Sequence, residues 1–386
     1  MCTFRKEQEG AFQLGESVVK KLDASRKIYL ERAAIARWEN ALKRRGGRVN
    51  SHKKYGERKE FGGWHPIVAP ENINVYEVLG ERETYTKTLE FISEIQSRLG
   101  KGKCYVDFSA TESLSAAAFV VLYAAVDTAL SSRVGKGAVK VIFSEKSEQV
   151  NSIIRNYNLY KLLTGEKVSY SLDGVRVMPV MSGVGNECMD EIIDFIQKKI
   201  YLDKMNAETE YVYGDAVSET IYNVELHAYP NSPASEKRWW LICRAKGKML
   251  HLAIYDKGVG IPKTVVEHPW FLGSVQNKHP KEYGVLLEKF PELRGSGISR
   301  YIPTVISDDK LIYLSLQGDV SGTNRDRHGQ GSKSIMALVN DTPGGRLWVF
   351  SNDGLCKYEK AGDEPELVQL PQSFPGTLIQ WNIELP

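Results

Sequence analysis

The chain has 386 residues, 42% of them apolar, with a mean hydropathy of −0.33 and a net charge of +3. At roughly 100–200 residues per domain, that length accommodates two domains and an extension. A membrane-spanning reading is excluded: the longest uncharged apolar run, Ala116–Val126, falls far short of the ~20 residues a bilayer requires.

The opening stretch, "MCTFRKEQEGAF", lacks the apolar centre of a signal peptide. The five cysteines, Cys2, Cys104, Cys188, Cys243 and Cys356, are far apart and form no CxxC pair. They read as reduced thiols of a cytosolic protein and offer no zinc site. Charge is unevenly spread. Residues 1–60 hold 16 Lys/Arg against 8 Asp/Glu, a surplus of eight, so the other 326 residues carry −5. A basic arm on a mildly acidic body reads either as a contact for an acidic partner such as nucleic acid, or as a solvated helical face.

In chain order, Gly15 to Arg45 predicts a helix in which Ile28, Ile35 and Leu42 recur every seven residues, with Trp38 on the same side. That seam suits a second helix, a second copy of the chain, or the chain's own body. A glycine-punctuated basic loop (44–66) closes this arm, residues 1–66. Residues 70–180 then alternate helix and strand: an amphipathic helix (85–99), a strand (103–109), a buried apolar helix (113–130), a strand (137–143) and a helix (147–163). Short connections between alternating elements predict an α/β layer structure. Residues 186–386 open with a helix at 188–200, followed by the helix carrying the stretch 218–231. Two strands (238–246 and 249–256) follow, joined by Gly247-Lys248. An irregular stretch (258–328) leads to a helix (332–340) and strands at 346–351 and 377–384.

Four motifs carry chemistry. In "SETIYNVELHAYPN" (218–231), Glu219, Asn223 and His227 fall four apart, one column on a helix. In "IYDKGVGIP" (254–262) a strand ends in Asp256, and Gly258 and Gly260 turn the chain tightly. Such an Asp can accept a hydrogen bond from an exocyclic amine such as that of adenine, although Asp-x-Gly-x-Gly is also ordinary turn chemistry. In "RHGQGSKSIMALV" (327–339), Gly329 and Gly331 precede a helix starting near Ser332, whose free N–H groups suit phosphate or need only a cap. The order of residues is not that of a P-loop. In "FPGTLIQW" (374–381), Thr377 begins a strand after Gly376, with a hydroxyl that could reach a side chain or a base.

In this order, the motifs of 186–386 resemble the GHKL ATPase superfamily of gyrase, heat-shock chaperones, histidine kinases and mismatch-repair ATPases. "SETIYNVELHAY" is most similar to the anti-sigma-factor serine kinases. The resemblance implies a two-layer α/β sandwich that binds Mg-ATP. Glu219 would be the general base, Asn223 would hold Mg²⁺, and Asp256, Gly258 and Gly260 would meet the nucleotide. Gly329, Gly331, Ser332, Lys333 and Thr377 would complete the site, with Lys333 standing where the family usually has glycine. His227 would support the turn after the helix or lie near the phosphates. "YVDFSATESLSAAAFVVLYAAV" resembles a STAS domain, the fold of anti-sigma-factor antagonists. Ser115 and Ala116 replace that family's Asp-Ser, so phosphorylation there is not expected. The implied function is an ATPase switch coupled to the STAS-like domain. The alternatives are a serine/threonine kinase acting on a partner protein, and a nucleic-acid-associated factor regulated by ATP. His52 and His65 lie in a glycine-rich loop, which argues against autophosphorylation on histidine.

Overall fold

The computed structural model describes residues 63–76, 82–131, 138–168, 170–268, 270–291, 297–317, 330–360 and 362–386. The helix expected to carry Ile28, Ile35, Trp38 and Leu42, most of the expected basic loop, and Gly329 lie outside these residues. The described chain is mixed α/β, with a parallel and an antiparallel sheet.

The first half builds the parallel sheet. Strands β1 (Trp64–Val68), β3 (Lys103–Asp107) and β5 (Val139–Ile142) lie in the order β1-β3-β5. A two-residue ladder joins β2 (Asn72–Ile73) to β4 (Ser113–Leu114). The expected loop therefore ends earlier than 66. Pro66 is tolerated in β1 because that strand is an edge. Helix α1 (Arg82–Arg98) and helix α2 (Ala116–Ser131) pack against each other. The expected single helix at 147–163 is two, α3 (Glu148–Asn156) and α4 (Leu159–Thr164). Asn158 breaks it with φ 66°, a left-handed conformation asparagine accepts more readily than most residues.

The second half builds an antiparallel sheet in the order β6-β7-β8-β10-β9. Its strands are β6 (Met181–Val184), β7 (Arg238–Lys246), β8 (Met249–Asp256), β9 (Arg346–Tyr358) and β10 (Glu366–Glu384). Strand β6 was not expected; its four residues fall between the 70–180 and 186–386 regions. Both β9 and β10 run past their expected limits. The expected strand ends at 351, but Asn352 takes φ 50° inside a strand that continues to Tyr358. The prolines of β10 sit where its register with β9 shifts, between Gln369 and Thr377. The β9–β10 pair thus extends beyond β8, and its overhang reaches the first half of the chain. There the Tyr85 hydroxyl donates to the Gln372 carbonyl at 2.9 Å.

One face of this sheet carries helices α5 (Met189–Phe195), α6 (Ala207–Asn223) and α11 (Gln330–Asn340), packed on Leu241, Leu252, Ile254, Val349 and Trp381. Trp381 Nε1 donates to the Ile335 carbonyl at 3.0 Å, fixing α11 to β10. The opposite face, with Trp240, Ile242, Tyr255, Phe350 and Leu378, shares one apolar cluster with α1 and α2. Phe119, Val120 and Tyr123 of α2 have no exposed surface. A helix that is apolar all round needs cover on every side. Here α2 obtains it by packing on β7 and β8 as well as on α1 and α4.

The stretch expected to be irregular is helical where described. It holds α7 (Ile261–Val265), α8 (Phe271–Lys278), α9 (Pro280–Lys289) and α10 (Asp308–Leu316) around their own core of Phe271, Val275, Leu286, Ile302 and Leu311. Short helices interrupted by proline and glycine give no readable 3.6-residue period.

Candidate functional site

Helix α6 starts at Asn206, whose side chain accepts from the Thr209 amide at 2.7 Å, a regular N-cap. Asp215, Glu219 and Asn223 follow at four-residue spacing inside the α-helix, all half-buried. Asp215 was not singled out from the sequence, although it extends the same column. Burial pushes the Glu219 carboxyl upward, and the Asp215 carboxylate adds to the rise. A rise is the direction that suits a carboxylate acting as a general base.

After Asn223 the helix widens into a π turn, Val224–Ala228. Hydrogen bonds from i to i+5 bring Ala228, rather than His227, above Asn223. The column therefore holds for Glu219 and Asn223 and shifts at His227. The His227 ring meets His268 edge to face at 5.0 Å, and His268 stacks on Trp270 at 5.7 Å. Burial lowers the His227 pKa, and His268 and Lys237 lower it further. This histidine packs the end of the helix against the chain that follows α7.

The π turn places the end of α6 against the Asp256 loop. The Val259 amide donates to the Ala228 carbonyl at 2.8 Å. A Cβ on Gly258 would overlap Ala228, so only glycine fits there. Gly260 has φ 95°, and a Cβ there would lie 2.9 Å from Ser351 Oγ and overlap the Asn352 amide. The Tyr229 hydroxyl accepts from the Lys257 amide at 2.8 Å and donates to the Arg238 carbonyl at 2.8 Å.

Asp256, Thr377 and Ser351 are cross-strand neighbours on β8, β10 and β9. Ile254, Ile379 and Val349, two residues along, lie in the helix-side core, so alternation points all three polar side chains to the same face. All three are buried. Ser351 Oγ is 3.1 Å from Thr377 Oγ1 and accepts from the Ile261 amide at 2.9 Å. The Asp256 carboxylate accepts from the Gly258 amide at 2.8 Å and from the Thr377 backbone. Burial nevertheless pushes its pKa up to about 7. Such a desolvated acceptor is short of donors and gains from one more. Ser351 had no signal in the sequence, since a lone serine in a strand carries none.

Ser332 and Lys333 lie in the first turn of α11, which packs along α6, and Gly331 belongs to the same turn. Lys333 is exposed. A cation at a helix N-terminus opposes the helix dipole, so its position is better suited to an anion there than to the helix itself. Asn223 fits a magnesium ion, which uses few protein ligands and takes the remainder from phosphates and water. Among the described residues, no group of three His, Cys, Asp or Glu could hold a metal.

The structure thus brings Asp256, Gly258, Gly260 and Thr377 into one cluster and fastens the end of the Glu219–Asn223 helix to it. Ser332 and Lys333 stand on the neighbouring helix. No protein-family model matches the chain, and no curated protein matches it.

Proposed function

We propose that residues 186–386 bind Mg-ATP in the manner of the GHKL superfamily and hydrolyse it slowly, as a nucleotide-dependent switch. The observation that carries this reading is the buried Asp256 carboxylate, aligned with Thr377 and Ser351 and fastened to the end of the helix that bears Glu219 and Asn223.

In this reading Asp256 accepts the exocyclic amine of adenine, and Thr377 and Ser351 supply hydroxyls beside it. Gly258 and Gly260 let the backbone approach the ligand. Lys333, Ser332, Gly331 and the N–H groups of the first turn of α11 would meet the phosphates, with Gly329 preceding them in the sequence. Asn223 would hold Mg²⁺, which when bound neutralises phosphate charge. Glu219 takes the proton of the attacking water, held one turn before Asn223 at the end of α6. The STAS-like first half receives the state of the site through α2, whose Asp127 pairs with Arg238 at 3.2 Å.

Phosphotransfer to a protein would use the same Glu219. Ser115 and Asp127 bracket most of α2, and at 1.5 Å per residue Ser115 lies ~18 Å from the Arg238 end. The acceptor in that case is a separate protein. Incubation with γ-labelled ATP tests the reading: released phosphate without labelled protein supports the switch, a labelled partner supports the kinase, and no nucleotide binding defeats both.

A cytoplasmic location belongs to the same reading and rests on the scattered free thiols Cys104, Cys188, Cys243 and Cys356. Among the described residues, no helix is long and apolar enough to cross a membrane. The basic arm would supply the contact with a protein partner, in first place a second copy of the chain through Ile28, Ile35, Trp38 and Leu42. Nucleic acid is the alternative occupant.

A further inference from the structure

A cleft of about 230 Å³ opens on the other face of the antiparallel sheet, at the far end of β7 from Asp256. It is lined by Asn74, Ser113, Ser115 and Gln149 from the first half of the chain and by Arg244 and Lys246 from β7. Three features converge on it.

The first is topology. The loop after β3 leads through β4 into α2, and the loop after β5 leads into α3. Crevices outside the carboxyl ends of parallel strands are where open α/β sheets hold ligands. The second is charge. Along β7 the residues facing α2 pass from Trp240 and Ile242 to Arg244 and Lys246, so the strand turns from apolar to cationic where α2 begins. Among the described residues, neither cation pairs with a carboxylate, whereas nearby Arg155 is paired with Glu148 at 3.1 Å. The third is the donor set. Ser147 caps α3 by accepting from the Val150 amide, and Ser115 accepts from the Ala118 amide. The earlier N–H groups of these two first turns have no intrahelical partner.

We propose that this cleft is a second ligand site, distinct from the nucleotide site, that takes a small phosphate-bearing molecule. Arg244 and Lys246 hold the phosphate from the β7 side. Ser113, Ser115, Asn74 and Gln149 provide neutral hydrogen bonds from the other side. Glu112 also lines the cleft and repels a bare anion, so it selects a ligand that carries a hydroxyl or amine donor beside its phosphate. The volume lies below the ~300–1,000 Å³ of drug-sized pockets, so the organic part is small. The ligand bridges the two halves of the chain. The proposal does not depend on ATP binding.

The test is calorimetric titration of the full chain with inorganic phosphate and, separately, with glycerol 3-phosphate. The expected result is tighter binding of the monoester, weakened about tenfold or more by Arg244→Gln and by Lys246→Gln, with unchanged melting temperature for the exposed Lys246→Gln. Lys333→Gln, at the nucleotide site, should leave the titration unchanged. Absence of binding, or binding insensitive to both β7 variants, overturns the proposal. So does binding lost in Lys333→Gln, which would place the anion at the first turn of α11. Equal affinities with sensitivity to Arg244→Gln would make free phosphate the ligand of the same site and remove the selective role of Glu112.

Discussion

The Tyr229 hydroxyl accepts a hydrogen bond from the Lys257 amide, 2.8 Å away, immediately after Asp256. The same hydroxyl donates to the Arg238 carbonyl, the Arg238 guanidinium pairs with Asp127 of α2, and Asp127 also accepts from Trp240 Nε1 at 2.9 Å. One chain of polar contacts thus joins the interior helix of the first half to the loop of the candidate nucleotide site.

Tyr229→Phe removes the hydroxyl and leaves the Lys257 N–H and the Arg238 carbonyl without it. The expected cost is ~1–3 kcal/mol of stability. Nucleotide affinity should fall as well, because the Asp256 loop loses its support. Denaturant melts combined with nucleotide titration check both. Unchanged affinity would make Tyr229 structural only.

Asp256 supplies a pH signature. Its folded carboxyl is raised from the ordinary 3.8 to about 7, with burial as the main cause. The folded chain therefore takes up this proton more readily than the unfolded chain. Asp256 adds stability below the ordinary carboxyl range, and that contribution is lost as pH rises through about 7. Ligand binding has the opposite sign, since an amine donor needs the ionised carboxylate. Adenine-nucleotide affinity should weaken below pH ~7, approaching tenfold per pH unit. Asp256→Asn should flatten that profile and reduce affinity ~5–150-fold at higher pH. Calorimetry across pH decides, and an equally steep profile in the variant would dismiss this role.

Glu219→Ala should retain ATP binding and lose ~10²–10⁴ of the turnover rate, the usual range for a general base. Phosphate release and titration on the same sample separate the outcomes. Turnover near the wild-type rate would make Glu219 a structural residue, and loss of binding would move it to the metal shell.

Phe119→Ala empties a fully buried position between α2 and its neighbours and should cost ~3–5 kcal/mol. Both halves contribute side chains to that cluster. Their loss of structure should therefore be simultaneous by circular dichroism and by the fluorescence of Trp240 and Trp348. Two separate transitions would mean that the halves hold independent cores.

Deleting residues 1–60 should reduce self-association with little dependence on salt, as expected of an apolar seam. Light scattering and nucleic-acid retention at two salt concentrations measure this. A steep salt slope in retention would instead indicate phosphate contacts by the arm's Lys and Arg.

The parts of the fold legible in the sequence are those with long, uniform patterns. The run "AAAFVVLYAAV" announced a helix covered on all sides, although not that a second sheet supplied the cover. Strands β7 and β8 were visible as two apolar runs joined by Gly247-Lys248. Strand β6 was too short to register. The extents of β9 and β10 were hidden by Asn352, Pro371 and Pro375, because turn residues inside a strand look like its end. At the site, Asp256 and the Glu219–Asn223 pair were readable from spacing, while Ser351 and Tyr229 acquire their positions only from pairing and from the π turn, neither of which leaves a local mark.

The overhanging β9–β10 pair has a consequence for synthesis. Leu355, Val368, Leu370 and Phe374 lie in the same cluster as α1, α2 and β3. The side chains that finish the core of the first half thus leave the ribosome more than two hundred residues after the strands they cover. Contacts of such sequence separation form slowly, because the loop must close before any contact rewards it. During translation α2 has only β7 and β8 of the second sheet to lie on, the core of the first half stays open where β9 and β10 will cover it, and a growing chain in that condition is prone to wrong associations. Chaperone occupancy should therefore be greatest on nascent chains that end before residue 346 and should fall once residue 378 has emerged.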